Sequence, residues 1–414
     1  MDGKVEQDQL QEYRADEFVV ATPHCRLVMG YLEPWAAVRA EAPELGLTLV
    51  HLTDVTAATD HLKRLRGAAA RPAGAPEAPR RLPLDDFLTE LRGLFEDQCD
   101  HWAPTLAKNR VVRGIKLFPY PSGGGEGDPT HPDGGLPPDV GDATAGHGTR
   151  VMILDTPIYP LESLAGRYLA SRHSLLHPSN GPRNRMAGHA TFIAGLVTRR
   201  APATHLHVES VLDSDAGEAD LWTVARRMMR YADGGVDVLN LSFGCFTFDR
   251  KPPLVLERAV TRLAPRMVIV AAGGNYGDAA ADGANRIDPR PNTPIWPAAF
   301  DEVVAVGACD ADGNVAPFTP KVRWLDFFAP GVNLTSTYLR GSVRGRDGKV
   351  LHKPFEGEAV WSGTSFAAAV VSGAVAAGTV PGRRSAHEAL DELRRGVAGR
   401  SGAGIVPVPP TWPE

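Results

Sequence analysis

Short, mostly apolar runs alternate with longer amphipathic stretches through the second part of the chain. RVMILDT (150–156), LHVESVL (206–212), VDVLNLSF (236–243), MVIVAAGG (267–274) and EVVAVGACD (302–310) read as strands, and VRWLDFFAP (322–330) as a short extended piece. GHATFIAGLVTR (188–199), ADLWTVARRMMRYAD (219–233), PPLVLERAVTRLAP (252–265), TSFAAAVVSGAVAAG (364–378) and SAHEALDELRRGV (385–397) read as helices. Apolar strands flanked by helices predict a parallel sheet covered on both faces. The first part of the chain has a different rhythm. FVVATPHCRLVMGYL (18–32) reads as two short β-rich runs, PWAAVRAEAPEL (34–45) as a helix and LTLVHLTDV (47–55) as a strand. TAATDHLKRLRGAAA (56–70) and LDDFLTELRGLFEDQCDHW (84–102) read as helices on either side of a Pro/Ala/Arg linker, before the strand-like VVRGIKLF (111–118).

These patterns divide the chain into a polar, disordered lead over 1–16 and a small α+β domain over 17–118. A Gly/Pro-rich linker over 119–146, an α/β domain over 147–398 and a tail over 399–414 follow. The glycine run inside the linker is no phosphate loop, because no Gly-Lys-Ser/Thr follows it. No internal repeat is present.

Composition narrows the function. A net charge of −5 with short, scattered basic clusters excludes a nucleic-acid-binding stripe. No run of about 18 apolar residues predicts a membrane span. The polar, acidic start has no apolar core of the kind an export signal carries, so the expected location is cytoplasmic. Cys25, Cys99, Cys245 and Cys309 are far apart and form no CxxC pair, which predicts free thiols and no zinc. No metal-ligand cluster stands out, and no cofactor is expected. The oligomeric state is not legible.

Four short segments carry candidate chemistry, each with two readings. Ser365 follows Gly363-Thr364 at the start of an Ala-rich helix, as a nucleophile near the positive helix end or as a cap. Asp155 ends an apolar strand, where functional groups gather in parallel sheets, or forms a turn. His189 opens a helix rich in small residues, as a base or as a capping or core histidine. Asn275 follows Ala272-Gly273-Gly274 after a buried strand, as an oxyanion donor or as a left-handed turn residue.

Taken together, in the order Asp, His, Asn, Ser, residues of about 147–380 resemble the subtilisin-like serine peptidases. Leu239-Asn240-Leu241-Ser242-Phe243-Gly244 is similar to that family's substrate-binding strand. The stretch 296–308 and Phe328-Ala329-Pro330-Gly331 match its surroundings of the oxyanion asparagine and the nucleophile. The resemblance implies a subtilisin-like parallel sheet and a serine endopeptidase acting on peptides or proteins. Its triad would be Asp155, His189 and Ser365, its oxyanion donor Asn275, and its substrate-binding residues Ser242, Phe243, Gly244, Ala272, Gly273 and Gly274. Many relatives carry an α+β propeptide, so 17–118 is read as propeptide-like or as a partner-binding module.

Three positions depart from the family pattern: Pro157, Ala190 and Ala369 stand where Gly, Gly and Pro are usual. They motivate the alternative, a weak or inactive pseudo-protease that binds or regulates. A histidine base argues against the related branch that uses a glutamate, and the order of the residues against an unrelated α/β hydrolase. The acidic stretch Leu212–Asp220 either favours basic substrate residues upstream of the cut or is a solvated loop capping the next helix.

Overall fold

A computed structural model of the chain describes residues 5–8, 11–67, 82–114, 127–140, 142–215, 217–247, 249–277, 293–396 and 405–407. These fall into two compact units, of 1–111, 220–229 and 253–259, and of 112–219, 230–252 and 260–414.

In the first unit an antiparallel sheet runs in the order Ala36–Ala42, Leu47–Leu52, Gln11–Ala21, Leu106–Gly114, the last strand continuing past the unit's end at 111; Val5–Asp8 also pairs with Gln11–Ala21. Residues 11–16, expected in a disordered lead, are therefore strand. Phe18 and Val20 face a core with Leu62, Phe87, Leu91 and Phe95 from the helices Val55–Leu65 and Pro83–Gln98. Strand alternation turns Glu17 and Asn109 away from that core. Asn109 donates to Glu17 (2.6 Å), and its Oδ1 accepts the Trp222 N–H (3.2 Å) at the start of the helix Leu221–Met229.

Two elements differ from expectation. Thr22–Leu32 is a helix, with Pro23 in its first turn, where a missing N–H costs nothing. Ala36–Ala42 is an outer strand instead of a helix. Its alanines favour helix, but pairing with Leu47–Leu52 across a turn closed by Gly46 (φ 66°) overrides that local preference.

The second unit is the expected α/β structure. Its sheet runs in the order Val406–Pro407, Phe327–Pro330, Val303–Cys309, Val268–Ala272, Val238–Leu241, Arg150–Asp155, His205–Ser210, Tyr168–Ala170. All pairs are parallel except the one made by Val406–Pro407. Val238–Leu241, Val268–Ala272 and Val303–Cys309 are buried along their whole length, which is why they show no polar alternation. The helices His189–Arg200, Thr364–Gly378 and Ala386–Arg394 pack on this sheet or on one another.

An antiparallel hairpin, Leu334–Gly341 with Phe355–Trp361, was not legible in the sequence. It braces the His189 helix: Ser336 and Thr337 donate to the Phe192 and Thr191 carbonyls (2.8 and 2.7 Å). The described residues of the linker expected over 119–146 make specific contacts within the second unit. Thr130 bridges to Val360, and Asp128 accepts from the Arg346 N–H (2.8 Å).

Candidate active site

Asp155 stands at the carboxyl end of a central strand, His189 is the first residue of its helix, and Ser365 the second of its own. All three are fully buried. The Asp155 Oδ1 lies 2.7 Å from the His189 Nδ1. The same oxygen accepts the Thr156 N–H (2.7 Å) and hydroxyl (3.1 Å). Thr156 Oγ1 in turn accepts the Ala190 N–H (3.2 Å). The strand end and the helix start are thus tied twice, through the carboxylate and through the neighbouring threonine. This shows how the chain tolerates Ala190: its backbone has a partner, and its fully buried methyl has a place.

Space around the histidine is tightly set. A Cβ on Gly188 would run into the Tyr338 ring, and one on Gly195 into Ser336 and Thr337. The His189 ring packs edge-on against Trp361 (6.0 Å) and tilted against Phe366 (5.6 Å). Behind it, Phe192 and Phe366 pack in a tilted pair at 4.3 Å and Tyr338 donates to the Arg185 carbonyl (2.6 Å). An aromatic wall therefore limits imidazole rotation and leaves its Nε2 as the remaining polar atom.

Ser365 is flanked on both sides. Phe366, the next residue, touches the imidazole; Thr364, the preceding one, touches Asn275. The Thr364 N–H and hydroxyl both donate to the Asn275 Oδ1 (3.0 and 2.8 Å), and the Thr364 hydroxyl accepts the Gly274 N–H (3.2 Å). Two donors on one oxygen fix the amide's orientation, so its NH₂ faces the other way. Among the described residues, Ser365 Oγ, His189 Nε2 and Asn275 Nδ2 are all buried without a hydrogen-bond partner. Three such atoms grouped around one helix start are chemically costly unless a ligand completes them.

The chain reaches this serine through Gly363, whose φ of 153° and ψ of 155° belong to glycine alone. Ala272 ends the buried strand Val268–Ala272, and Gly273 and Gly274 follow it. A Cβ on Gly273 would come 3.0 Å from the Val306 carbonyl. Ser242 precedes the strand Phe243–Phe246, which pairs antiparallel with Ile295–Trp296 on one side. On the other, Phe243 faces Gly114 and Gly244 faces Arg113.

Asn240 was missed as a site residue. It is the polar position in an otherwise apolar strand, and its role depends on residues far away in sequence. Its Oδ1 accepts the Ser372 hydroxyl (3.0 Å) and its NH₂ donates to Ser242 (3.1 Å). Ser242 donates on to the Ser365 carbonyl (3.5 Å). A buried relay thus joins the edge that would take a substrate to the serine helix. Among the described residues no cluster of His, Cys, Asp or Glu is grouped as metal ligands, and no helix is long and apolar enough to cross a membrane.

Comparison with known proteins matches residues 146–379 to the subtilase family. Subtilisin BL of Lederbergia lenta is 31% identical over 219 residues, covering 50% of this chain and 73% of that protein. A thermophilic serine proteinase of a Bacillus species is 27% identical over 273 residues, covering 62% of this chain and 59% of its own. Fervidolysin of Fervidobacterium pennivorans, described as a keratinolytic enzyme related to subtilisin, shares the fold. It superposes with a TM-score of 0.56 at 17% identity, covering 90% of this chain and 55% of that one.

Proposed function

The chain belongs to the subtilase family of serine-type endopeptidases, and from that premise we propose that it cuts peptide bonds through Asp155, His189 and Ser365, with Asn275 as oxyanion donor. The observation that carries the assignment is the set of three unsatisfied buried atoms around one helix start, with the imidazole held by a carboxylate 2.7 Å away.

The reaction follows from that arrangement. The Asp155 carboxylate keeps the proton of His189 on Nδ1, which leaves Nε2 as the base. Nε2 takes the Ser365 hydroxyl proton as the oxygen adds to the substrate carbonyl. The carbonyl oxygen becomes an anion that receives the Asn275 NH₂ and the Ser365 backbone N–H, which is free at a helix N-terminus. The imidazolium then protonates the leaving amine, the C–N bond breaks and an acyl-serine remains. Water attacks it by the same proton route in reverse. The substrate, a peptide or protein, adds as a strand beside Ser242-Phe243-Gly244, and Ala272-Gly273-Gly274 leave room for its backbone next to the serine.

Fluorophosphonate labelling tests the assignment. Ser365 should be the labelled residue, and the label should vanish in His189→Ala. Ser365→Ala should lower peptide hydrolysis by about 10⁶-fold, a figure carried over from a subtilisin. Peptide cleavage by Ser365→Ala at the wild-type rate would refute it.

A further inference from the structure

The edge that would take a substrate is already occupied by the chain's own strand, and that occupant shows what the edge selects. Arg113 lies opposite Gly244 and Gly114 opposite Phe243. On its far side the Gly114 N–H donates to the Gly217 carbonyl (2.8 Å). Arg113 and Gly114 are therefore hydrogen-bonded as an inserted strand, between 217–218 and 243–244. Side chains of such a strand alternate in direction, so each position meets its own wall.

At the first position the Arg113 guanidinium meets the Glu218 carboxylate at 2.9 Å, both side chains being about one quarter exposed (26% each). Other acids of the same stretch are engaged elsewhere. Asp213 accepts the Asp215 N–H (2.8 Å) within its own turn, and Asp220 accepts the Thr223 N–H and hydroxyl (both 2.9 Å) at the start of the next helix. The two readings of the acidic stretch thus divide between residues: Asp220 caps a helix, and Glu218 faces the inserted strand. Glu218 is held in place by its backbone, whose carbonyl accepts the Asp213 N–H (3.0 Å).

At the second position there is little room. A Cβ on Gly114 would come 2.9 Å from the methyl of the fully buried Met186, with Leu212 behind it.

We infer that Glu218 is a specificity-determining residue, which selects substrates carrying arginine or lysine at the position Arg113 now fills, followed by a small residue at the position of Gly114. This rests on the peptidase reading and names the substrate class of the same site. The register fixes where the basic residue falls. Ser242 touches the backbone of Ser365, so a substrate residue opposite Ser242 presents the attacked carbonyl. The residue opposite Gly244 lies two positions upstream of it.

Two measurements test the inference. In the first, the full chain is incubated with a peptide library and the products are sequenced by mass spectrometry. Arg and Lys should be enriched two positions upstream of the residue that is cut, about tenfold over Asp and Glu, and Glu218→Arg should reverse the preference. Cleavage with no basic enrichment there, or enrichment that survives Glu218→Arg, overturns it. The second measurement does not depend on hydrolysis. In the full chain carrying Ser365→Ala and Arg113→Glu, charge repulsion weakens the hold of the inner strand on the edge. A fluorescent peptide Val-Val-Arg-Gly should then bind about tenfold more tightly than Val-Val-Glu-Gly, and equal affinities overturn the inference. Selective binding by that variant, with the Arg113→Glu chain that keeps Ser365 cutting nothing, would instead refute the peptidase reading alone.

Discussion

Asn275 shows how a distant residue orients a side chain that sequence leaves open. In sequence it is a turn asparagine or an oxyanion donor; in the structure Thr364, 89 residues on, claims its oxygen twice and so commits its NH₂. The proposed triad residues stood out in sequence because each sits at the end or start of an element with a clear hydrophobic signature. The partners that aim them, Thr156, Thr364 and Asn240, were not, because hydroxyls and amides gain meaning only from what faces them. Asn275→Ala should lower kcat by about 10²–10³-fold, as such a removal does in a subtilisin. Thr364→Val keeps the amide but removes one of its two anchors, so kcat should fall about five- to tenfold with KM held. Steady-state kinetics on one peptide separates the two, and a Thr364→Val effect confined to KM would contradict the anchoring role. Away from the site, His207 is a marker of acid sensitivity. Burial first, then Arg150 and His205, hold its pKa below the usual 6.5. The folded state therefore keeps this ring neutral at pH values where the unfolded chain protonates it. Its contribution is intact above pH 6.5 and is lost as pH falls through the depressed value. Melting temperatures of His207→Gln should decline less than wild type between about pH 7 and 5; parallel declines would show the ring plays no part.

Elements of the second unit were read correctly where burial made the pattern simple. Val268–Ala272 and Val303–Cys309 are buried throughout, and a run of small or β-branched apolar residues between helices has few alternatives. Reading failed where pairing decides. The outer strand Ala36–Ala42 has a helix former's composition and becomes strand through Leu47–Leu52; the hairpin Leu334–Gly341 with Phe355–Trp361 is split by a loop and mixes polar with aromatic residues. That hairpin braces the helix that His189 begins: its serine and threonine hydroxyls bond carbonyls inside the helix, and its tyrosine hydroxyl bonds Arg185 in the turn just before it. The serine helix depends on a different device. Gly363 takes φ 153°, its N–H donates to the Gly331 carbonyl (2.7 Å), and its conformation sets the angle at which Thr364 and Ser365 enter the helix. Gly363→Ala should cost on the order of 1–3 kcal/mol of stability and most of the activity. Thermal melts together with Ser365 labelling check this, and a stable, fully labelled Gly363→Ala protein would show that the angle is not critical.

At the level of the whole molecule, the proposed chemistry and a strand that would obstruct it lie in one chain. Asp155, His189 and Ser365 are fully buried, and Arg113-Gly114 fill the strand position where a substrate would add. Because that occupant is tethered, its effective concentration is far above that of any free peptide, so dilution cannot remove it. The uncut chain should therefore be latent: fluorophosphonate should label Ser365 slowly at first and faster as a cut downstream of Gly114 accumulates. If the first cut is made by the molecule on itself, its rate constant should not change with protein concentration; a rate that rises in proportion to concentration would instead mean one molecule cutting another. Arg113→Glu, which sets two carboxylates against each other, should shorten the lag, and Glu218→Arg combined with it should restore the lag by re-forming the pair with its charges exchanged. Rapid, complete labelling of the intact wild-type chain would show that the inner strand leaves the edge freely. The Arg113–Glu218 pair would then be an incidental surface ion pair, worth less than about 1 kcal/mol, instead of the contact that holds the peptidase closed.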